Sequence, residues 1–312
     1  RRLRNGIRAG TALAGPARTG LESVTMSNPD PMTAPYGAFA LSSSEEWLRR
    51  LAMTLPTDGL RRGAESVVRR ILMSGGREIA DVEVFPGQFA RLHMRDNRCE
   101  KRVFAGSKTW DNAERAAIRE AIAAKPAGQD FVFVDAGANA GFYTLSAVSD
   151  ASACDQPIKA VAIEPDEENR RRLEFNIAAS NAGCVTVLPY ALGAEEGEAV
   201  LVQSGHNRGE VHIEADGQGT TIRLRPLRAA LHEAGVDHVD IMKMDIEGFE
   251  ETVLETFFGD APRTIWPRMI LLETRHEAGI TVGAAGLCLR NGYELARQMR
   301  QNAVLVLKPG EM

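Results

Sequence analysis

The sequence predicts an α/β protein whose core is a mostly parallel sheet covered by helices on both faces. Two observations predict it. First, F-V-F-V-D (131–135), K-A-V-A-I-E-P (159–165), V-D-I-M-K-M-D (239–245) and R-M-I-L-L-E-T (268–274) are short, almost uninterrupted apolar runs. A strand that is apolar at nearly every position is buried on both faces, as in a parallel sheet. Second, stretches with helical spacing separate these runs, and strict alternation of the two element types is the pattern of a layered α/β domain.

The elements follow in order. Residues 1–40 are rich in Gly, Pro, Ser, Thr and Ala without a sustained apolar period, and are read as a disordered tail. The opening R-R-L-R-N-G-I-R-A-G carries arginines and no acid precedes Glu22, a composition similar to a transit peptide or a basic arm. S-S-S-E-E-W marks a helix start, with serine caps and acids in the first turn. Trp47, Leu51 and Leu55 give this helix an apolar face, and Leu60, Ala64, Val67/Val68 and Ile71/Leu72 continue the pattern in a second helix after Pro56. D-V-E-V-F and F-A-R-L-H-M alternate around P-G-Q, which predicts a β-hairpin, with a short strand near R-V-F (102–104). Residues 41–106 are thus a helical and hairpin extension, and 107–312 the main domain.

Within that domain, A-E-R-A-A-I-R-E-A-I-A-A (113–124) is helical, and a helical run begins at about Phe142. In D-E-E-N-R-R-R-L-E-F-N-I, Leu173 and Ile177 lie one turn apart and face a sheet. V-T-V-L-P-Y is another strand, and a helix starts near Phe249. Residues 194–224 break the alternation: E-A-V-L-V and T-I-R-L-R flank a Gly/His/Asn-rich centre, an inserted hairpin with a loop. Y-E-L-A-R-Q-M and A-V-L-V-L-K form a terminal antiparallel pair.

Composition narrows the function. At 312 residues, with 44% hydrophobic and 25% charged residues, the chain has the make-up of a soluble globular protein. A net charge of −5 argues against a general nucleic-acid binder, and no apolar run approaches the roughly 18 residues of a spanning helix. Cys99, Cys154, Cys184 and Cys288 include no C-x-x-C pair, so neither a zinc site nor a disulfide framework is expected, and a reduced, cytoplasmic setting is the default.

The chemistry concentrates at two strand ends. V-D-A-G-A-N-A-G-F (134–142) is a glycine turn behind an acid, at the carboxyl edge where open α/β sheets bind ligands. A plain tight turn would explain it alone. A dinucleotide would need G-x-G-x-x-G, but Asn139 takes the place of the middle glycine and Asp135 would oppose a diphosphate. S-adenosyl-L-methionine fits better: it has no phosphate, it carries an ammonium, and its ribose hydroxyls suit an acid such as Glu164 at the next strand end. M-K-M-D-I-E-G-F-E (242–250) brings Asp245 and Glu247 to the same edge. Helix capping would account for the pair, and otherwise it faces the ligand or substrate.

These motifs resemble the FkbM family of S-adenosylmethionine-dependent methyltransferases. The resemblance rests on F-V-D-A-G-A-N-A-G-F-Y-T, A-I-E-P, L-E-F-N-I and V-D-I-M-K-M-D-I-E-G-F-E, with W-D-N-A-E upstream and I-L-L-E-T downstream, over roughly residues 100–307. It implies a class I methyltransferase (Rossmann-like) sheet of seven strands, the last antiparallel. It also implies methyl transfer to a hydroxyl oxygen of a sugar, glycan or secondary metabolite. By position, Asp135, Gly137, Asn139 and Gly141 would shape the cofactor loop. Glu164 would hold the ribose, and the turn at Tyr190–Ala191 would lie near adenine. Asp245 and Glu247 fall on the acidic signature, Asp245 being the first candidate base and Glu247 the second. His206, His212 and His276 are alternative bases. No metal is assigned, although Asp245 with Glu247 could hold a divalent ion that acidifies the hydroxyl. The competing readings are a non-catalytic binding module that keeps the pocket, and a nicotinamide oxidoreductase.

Overall fold

The computed structural model describes residues 30–203, 211–214, 219–246, 248–274 and 280–310, with only the backbone of residues 203 and 211–214. Residues 1–34 and 35–312 form separate units. In the first, Pro31–Thr33 makes a single 3-10 turn capped by the Asp30 side chain.

The second unit opens with helices α1 (Ser43–Met53) and α2 (Asp58–Met73) and hairpin β1 (Ile79–Phe85)–β2 (Gln88–His93). Ser42 and Glu45 form a capping box at the start of α1, as the serine-acid pattern predicts. Residues 35–40, inside the stretch read as a disordered tail, pack on the hairpin. Gly37 N and Phe39 N donate to Asp81 Oδ2 at 2.7 and 3.1 Å, and the Arg91 guanidinium sits over the Phe39 ring. Two aromatic anchors, Tyr36 against Phe89 and Phe39 against Arg91, order a segment whose composition reads as loop.

The predicted strand at 102–104 is instead part of α3 (Arg98–Gly106). Asn97 starts this helix by accepting from Cys99 N and Glu100 N, and Val103 and Phe104 are buried on one side of it. A stretch as short as R-V-F carries no period, so the cap decides. In α1 the apolar face lies opposite to expectation, with Trp47 and Leu51 exposed, whereas in α2 the expected Val68 and Leu72 are buried and Leu60, Val67 and Ile71 are exposed. In α1 Arg49 is buried instead, its Nε and Nη2 donating to Glu46 and the Glu83 carbonyl.

The remaining elements are α4 (Asn112–Ala124), β3 (Phe131–Ala136), α5 (Phe142–Ala153), β4 (Ile158–Ile163), α6 (Glu167–Ala179), β5 (Val185–Leu188), β6 (Ala191–Leu192) and β7 (Gly197–Gln203). They continue with β8 (Val211–Glu214), β9 (Thr220–Arg225), α7 (Leu227–Glu233) and β10 (Ile241–Met244). Last come α8 (Glu250–Asp260), β11 (Met269–Glu273), α9 (Gly283–Arg290), β12 (Tyr293–Gln298) and β13 (Asn302–Leu307).

The main sheet has seven strands in the order β12-β13-β11-β10-β3-β4-β5. Pairing is parallel from β11 to β5, and β13 runs antiparallel to both its neighbours. This is the seven-stranded arrangement with an antiparallel last strand. Successive residues of β3 feed opposite cores. Phe131 and Phe133 pack with α4, α5 and the extension, whereas Val132 and Val134 pack with α7, α8 and α9. The extension therefore shares a hydrophobic core with one face of the sheet. At 194–224 the structure adds a strand to the expected hairpin: β7 pairs with both β8 and β9 in a second sheet, ordered β6-β9-β7-β8.

From β3 the chain steps outward through β4 and β5, then returns to place β10 on the other side of β3. Strand order reverses there, so the carboxyl ends of β3 and β10 flank the switch-point crevice.

Candidate active site

The turn after β3 is built from backbone conformations that few residues adopt. Gly137 and Gly141 have φ of 79° and 88°, and Asn139 has φ of 52°. A Cβ on Gly137 would lie 1.9 Å from the Asp245 carbonyl oxygen, so glycine is required by the close approach of the β10 end as well as by φ. Asn139 tolerates the left-handed region because its short amide bonds locally. Its Oδ1 accepts from Ala140 N and from Asn97 Nδ2, both at 2.8 Å, which ties the turn to the start of α3.

The next strand end delivers Glu164. Its Oε2 accepts from Asn139 N at 2.7 Å and its Oε1 from Asp166 N at 2.9 Å. Burial pushes its pKa up to about 7, against the pull of those two amides. Each carboxylate oxygen keeps a further lone pair. Glu164 lines a pocket of ≈ 990 Å³ together with Gly137, Asn139, Ala191 and Asp245.

At the end of β10, the Lys243 ammonium is buried between carboxylates. It lies 3.5 Å from both Asp135 Oδ1 and Asp245 Oδ2, and donates to the Gly137 carbonyl at 3.1 Å. Burial opposes its charge, but Asp245 and Asp135 outweigh that and hold its pKa above the usual lysine range. It also sits 5.1 Å from the centre of the Tyr143 ring. Asp135 itself is fully buried, and its Oδ2 accepts from Thr144 N and Thr144 Oγ1 at 3.1 and 2.8 Å. It thereby fastens the first turn of α5 to β3.

The structure thus brings five of the residues singled out in the sequence to one pocket: Gly137, Asn139, Glu164, Ala191 and Asp245. Asp135 and Gly141 are not in its wall. Asp135 braces Lys243 from behind, and a Cβ on Gly141 would meet Leu173 Cδ1 at 2.3 Å, so that glycine admits α6. Glu247, His206 and His276 lie outside the described residues, as does the side chain of His212. Sequence reasoning missed Lys243, although it stands inside the M-K-M-D motif. A lysine in a strand otherwise apolar at every position was the available signal. Asp111 and Tyr143, joined by a 3.1 Å hydrogen bond, also line the pocket; both stand inside the motifs W-D-N-A-E and G-F-Y-T, but were not singled out as site residues. Among the described residues, no group of three His, Cys, Asp or Glu side chains is arranged to hold a metal ion.

Comparison with known proteins decides the family: the model described as the methyltransferase FkbM domain matches residues 135–301. The chain belongs to the FkbM methyltransferase family. The matched stretch begins at Asp135 and takes in Glu164, Lys243 and Asp245. Among solved structures, similarity is found to an FkbM methyltransferase from Methylobacillus flagellatus KT (15% identity, TM-score 0.41), covering 78% of this chain and 60% of that one. The chain therefore spans about three-fifths of that relative's length. A precorrin-6y C5,15-methyltransferase from Geobacter metallireducens GS-15 is similar at 14% identity over 62% of this chain and 87% of that one, with a TM-score of 0.36. TYW2 from M. jannaschii, a structure in complex with AdoMet, is similar at 13% identity over 74% of this chain and 84% of that one, with a TM-score of 0.36. No curated protein matches the chain.

The FkbM cofactor is S-adenosylmethionine, and the donor set of the pocket suits it. A buried acid with spare lone pairs suits two ribose hydroxyls, and the walls at Ile163, Ala191 and Leu192 are apolar enough for a purine.

Proposed function

We propose that this FkbM protein is an O-methyltransferase acting on a hydroxyl of a sugar, glycan or secondary metabolite. The observation that carries the reading is the placement of Asp245. Its side chain is 39% exposed, it lines the same pocket as Glu164, and it stands beside a lysine held in its charged form. An alcohol acceptor must surrender a proton, and a partly exposed carboxylate at the switch point is a group able to take it.

In this reading Glu164 accepts from the ribose hydroxyls, the turn Gly137–Asn139 shapes the methionine end, and Ala191 borders the adenine. When bound, the cofactor supplies an electrophilic methyl group on a sulfonium. Asp245 receives the acceptor hydroxyl proton as the oxygen turns nucleophilic. Lys243, which stays protonated, orients the Asp245 carboxylate and is too poor a base to compete for the proton. The pocket walls keep acceptor and donor aligned, a contribution that reaches about 7–11 kcal/mol in well-oriented systems.

The test is Asp245→Asn assayed with labelled cofactor across a panel of hydroxyl acceptors. Turnover should fall about 10²–10⁴-fold with cofactor affinity nearly unchanged. Undiminished turnover would remove Asp245 from the chemistry. Cofactor binding without turnover of any acceptor by the wild-type chain would favour a non-catalytic module.

A further inference from the structure

We propose that the acceptor bears an oxyanion, a phosphate or a carboxylate, and that Arg62, Arg69 and Arg300 receive it. The inference rests on the methyl-transfer reading above and narrows its acceptor from any hydroxyl compound to an anionic one.

Arg62 and Arg69 stand two turns apart on one face of α2, with Ser66 between them, and all three line the pocket. Arg300 lines it from the β12–β13 turn, which follows the carboxyl end of β12. The two groups of guanidinium thus come from separate parts of the chain, the extension and the sheet edge, to one concavity. Among the described residues, the guanidinium of none of the three makes a hydrogen bond or an ion pair.

The acids on the same walls are already engaged. Asp58 pairs with Arg61 at 2.9 Å. Asp111 accepts from Arg102 at 2.6 Å and from Tyr143 Oη at 3.1 Å. Glu114 accepts from Asn302 Nδ2 at 2.8 Å. Glu65 is buried, accepts from Thr109 Oγ1 at 2.5 Å, and has its pKa raised by that burial, although Arg62 lies near enough to oppose the rise. Glu164 and Asp245 belong to the cofactor end, and Glu273, at the end of β11, pairs in register with Asn302 beside the turn that carries Arg300. Among the described residues, none of these acids forms an ion pair with Arg62, Arg69 or Arg300, so the three guanidinium groups keep their donors for a ligand.

The three guanidinium groups present their donors to whatever enters the concavity. A neutral acceptor covering it would strip water from guanidinium groups without replacing their hydrogen bonds. A phosphate or carboxylate replaces them with charge-assisted ones, for which the planar fork of arginine is well matched.

The test uses the full chain saturated with S-adenosylhomocysteine and titrates pyrophosphate and citrate by calorimetry. At least one should bind, more weakly as salt is raised. Its affinity should fall about tenfold or more in Arg62→Ala/Arg69→Ala and in Arg300→Ala, while S-adenosylhomocysteine affinity holds. Neither anion binding, or binding that ignores the substitutions, with S-adenosylhomocysteine bound normally, overturns the anionic acceptor and leaves methyl transfer standing. Failure of the wild-type chain to bind S-adenosylhomocysteine overturns the methyl-transfer reading instead. Labelled methyl transfer into a metabolite extract separates the two sources. A labelled product retained on an anion exchanger and released by phosphatase identifies a phosphate acceptor. One retained but phosphatase-resistant identifies a carboxylate, and label confined to the neutral flow-through contradicts the inference.

Discussion

The backbone amide of Asn139 donates to Glu164 Oε2 across 2.7 Å. This bond joins the turn after β3 to the acid after β4, two features separated by a helix and a strand. It also fixes where the carboxylate can present its remaining lone pairs. The same asparagine reaches back through Oδ1 to Asn97, so extension, turn and acid form one connected unit.

Cofactor affinity should depend on the ionisation of Glu164. Its pKa, pushed up to about 7 by burial, lies where the acid is half protonated near neutrality. Ribose hydroxyls donate to the ionised form, so the dissociation constant should rise about tenfold per pH unit below 7 and level off above it. Calorimetry from pH 5.5 to 8.5 checks this, and Glu164→Gln should weaken binding and abolish the step.

The apo protein should show the opposite trend in stability. Burial raises both Glu100 and Glu164 from 4.5 to about 7, so the folded chain holds these protons more tightly than the unfolded one. Their contribution is complete below pH 4.5 and is lost as pH climbs through 7. Glu100→Gln and Glu164→Gln should each flatten the fall in melting temperature across that window, read by thermal denaturation.

Gly137→Ala should be strongly destabilising. The added methyl would meet the Asp245 carbonyl at 1.9 Å, in a backbone conformation with φ of 79°. Positive φ alone costs about 1–3 kcal/mol, and displacing the β10 end adds to it. Chemical denaturation gives the loss. The variant should also lose methyl transfer, since Asp245 moves with its carbonyl.

Lys243→Met should cost about 3–5 kcal/mol, because Asp135 would keep its burial and lose its cation. Adding Asp135→Asn should restore part of that stability without restoring activity. A double-mutant cycle by denaturation, with turnover measured alongside, separates the two effects.

Much of the architecture was legible because parallel strands buried on both faces leave an unmistakable apolar run, as at F-V-F-V and V-A-I. The terminal pair and the hairpin around Pro86–Gly87 were equally plain. What escaped depended on partners distant in the chain. Arg49 is buried only because Glu46 and the Glu83 carbonyl receive it, which leaves Trp47 and Leu51 outward. The period of α1 says nothing of this. At the pocket, strand ends pointed to Glu164 and Asp245, and both line it. Whether a carboxylate points into the crevice or behind it was not written in the spacing: Asp135, one register step before Ala136, turns to Thr144 and Lys243. The arginines of the pocket are surface residues by composition, and only the fold gathers α2 and the β12–β13 turn around one concavity.

The most direct test is a crystal structure of the chain bound to S-adenosylhomocysteine. Ribose hydroxyls within hydrogen-bonding distance of Glu164, with the sulfur facing Asp245, are the predicted result. A ligand seated elsewhere, with Glu164 still bonded only to the amides of Asn139 and Asp166, would contradict the account.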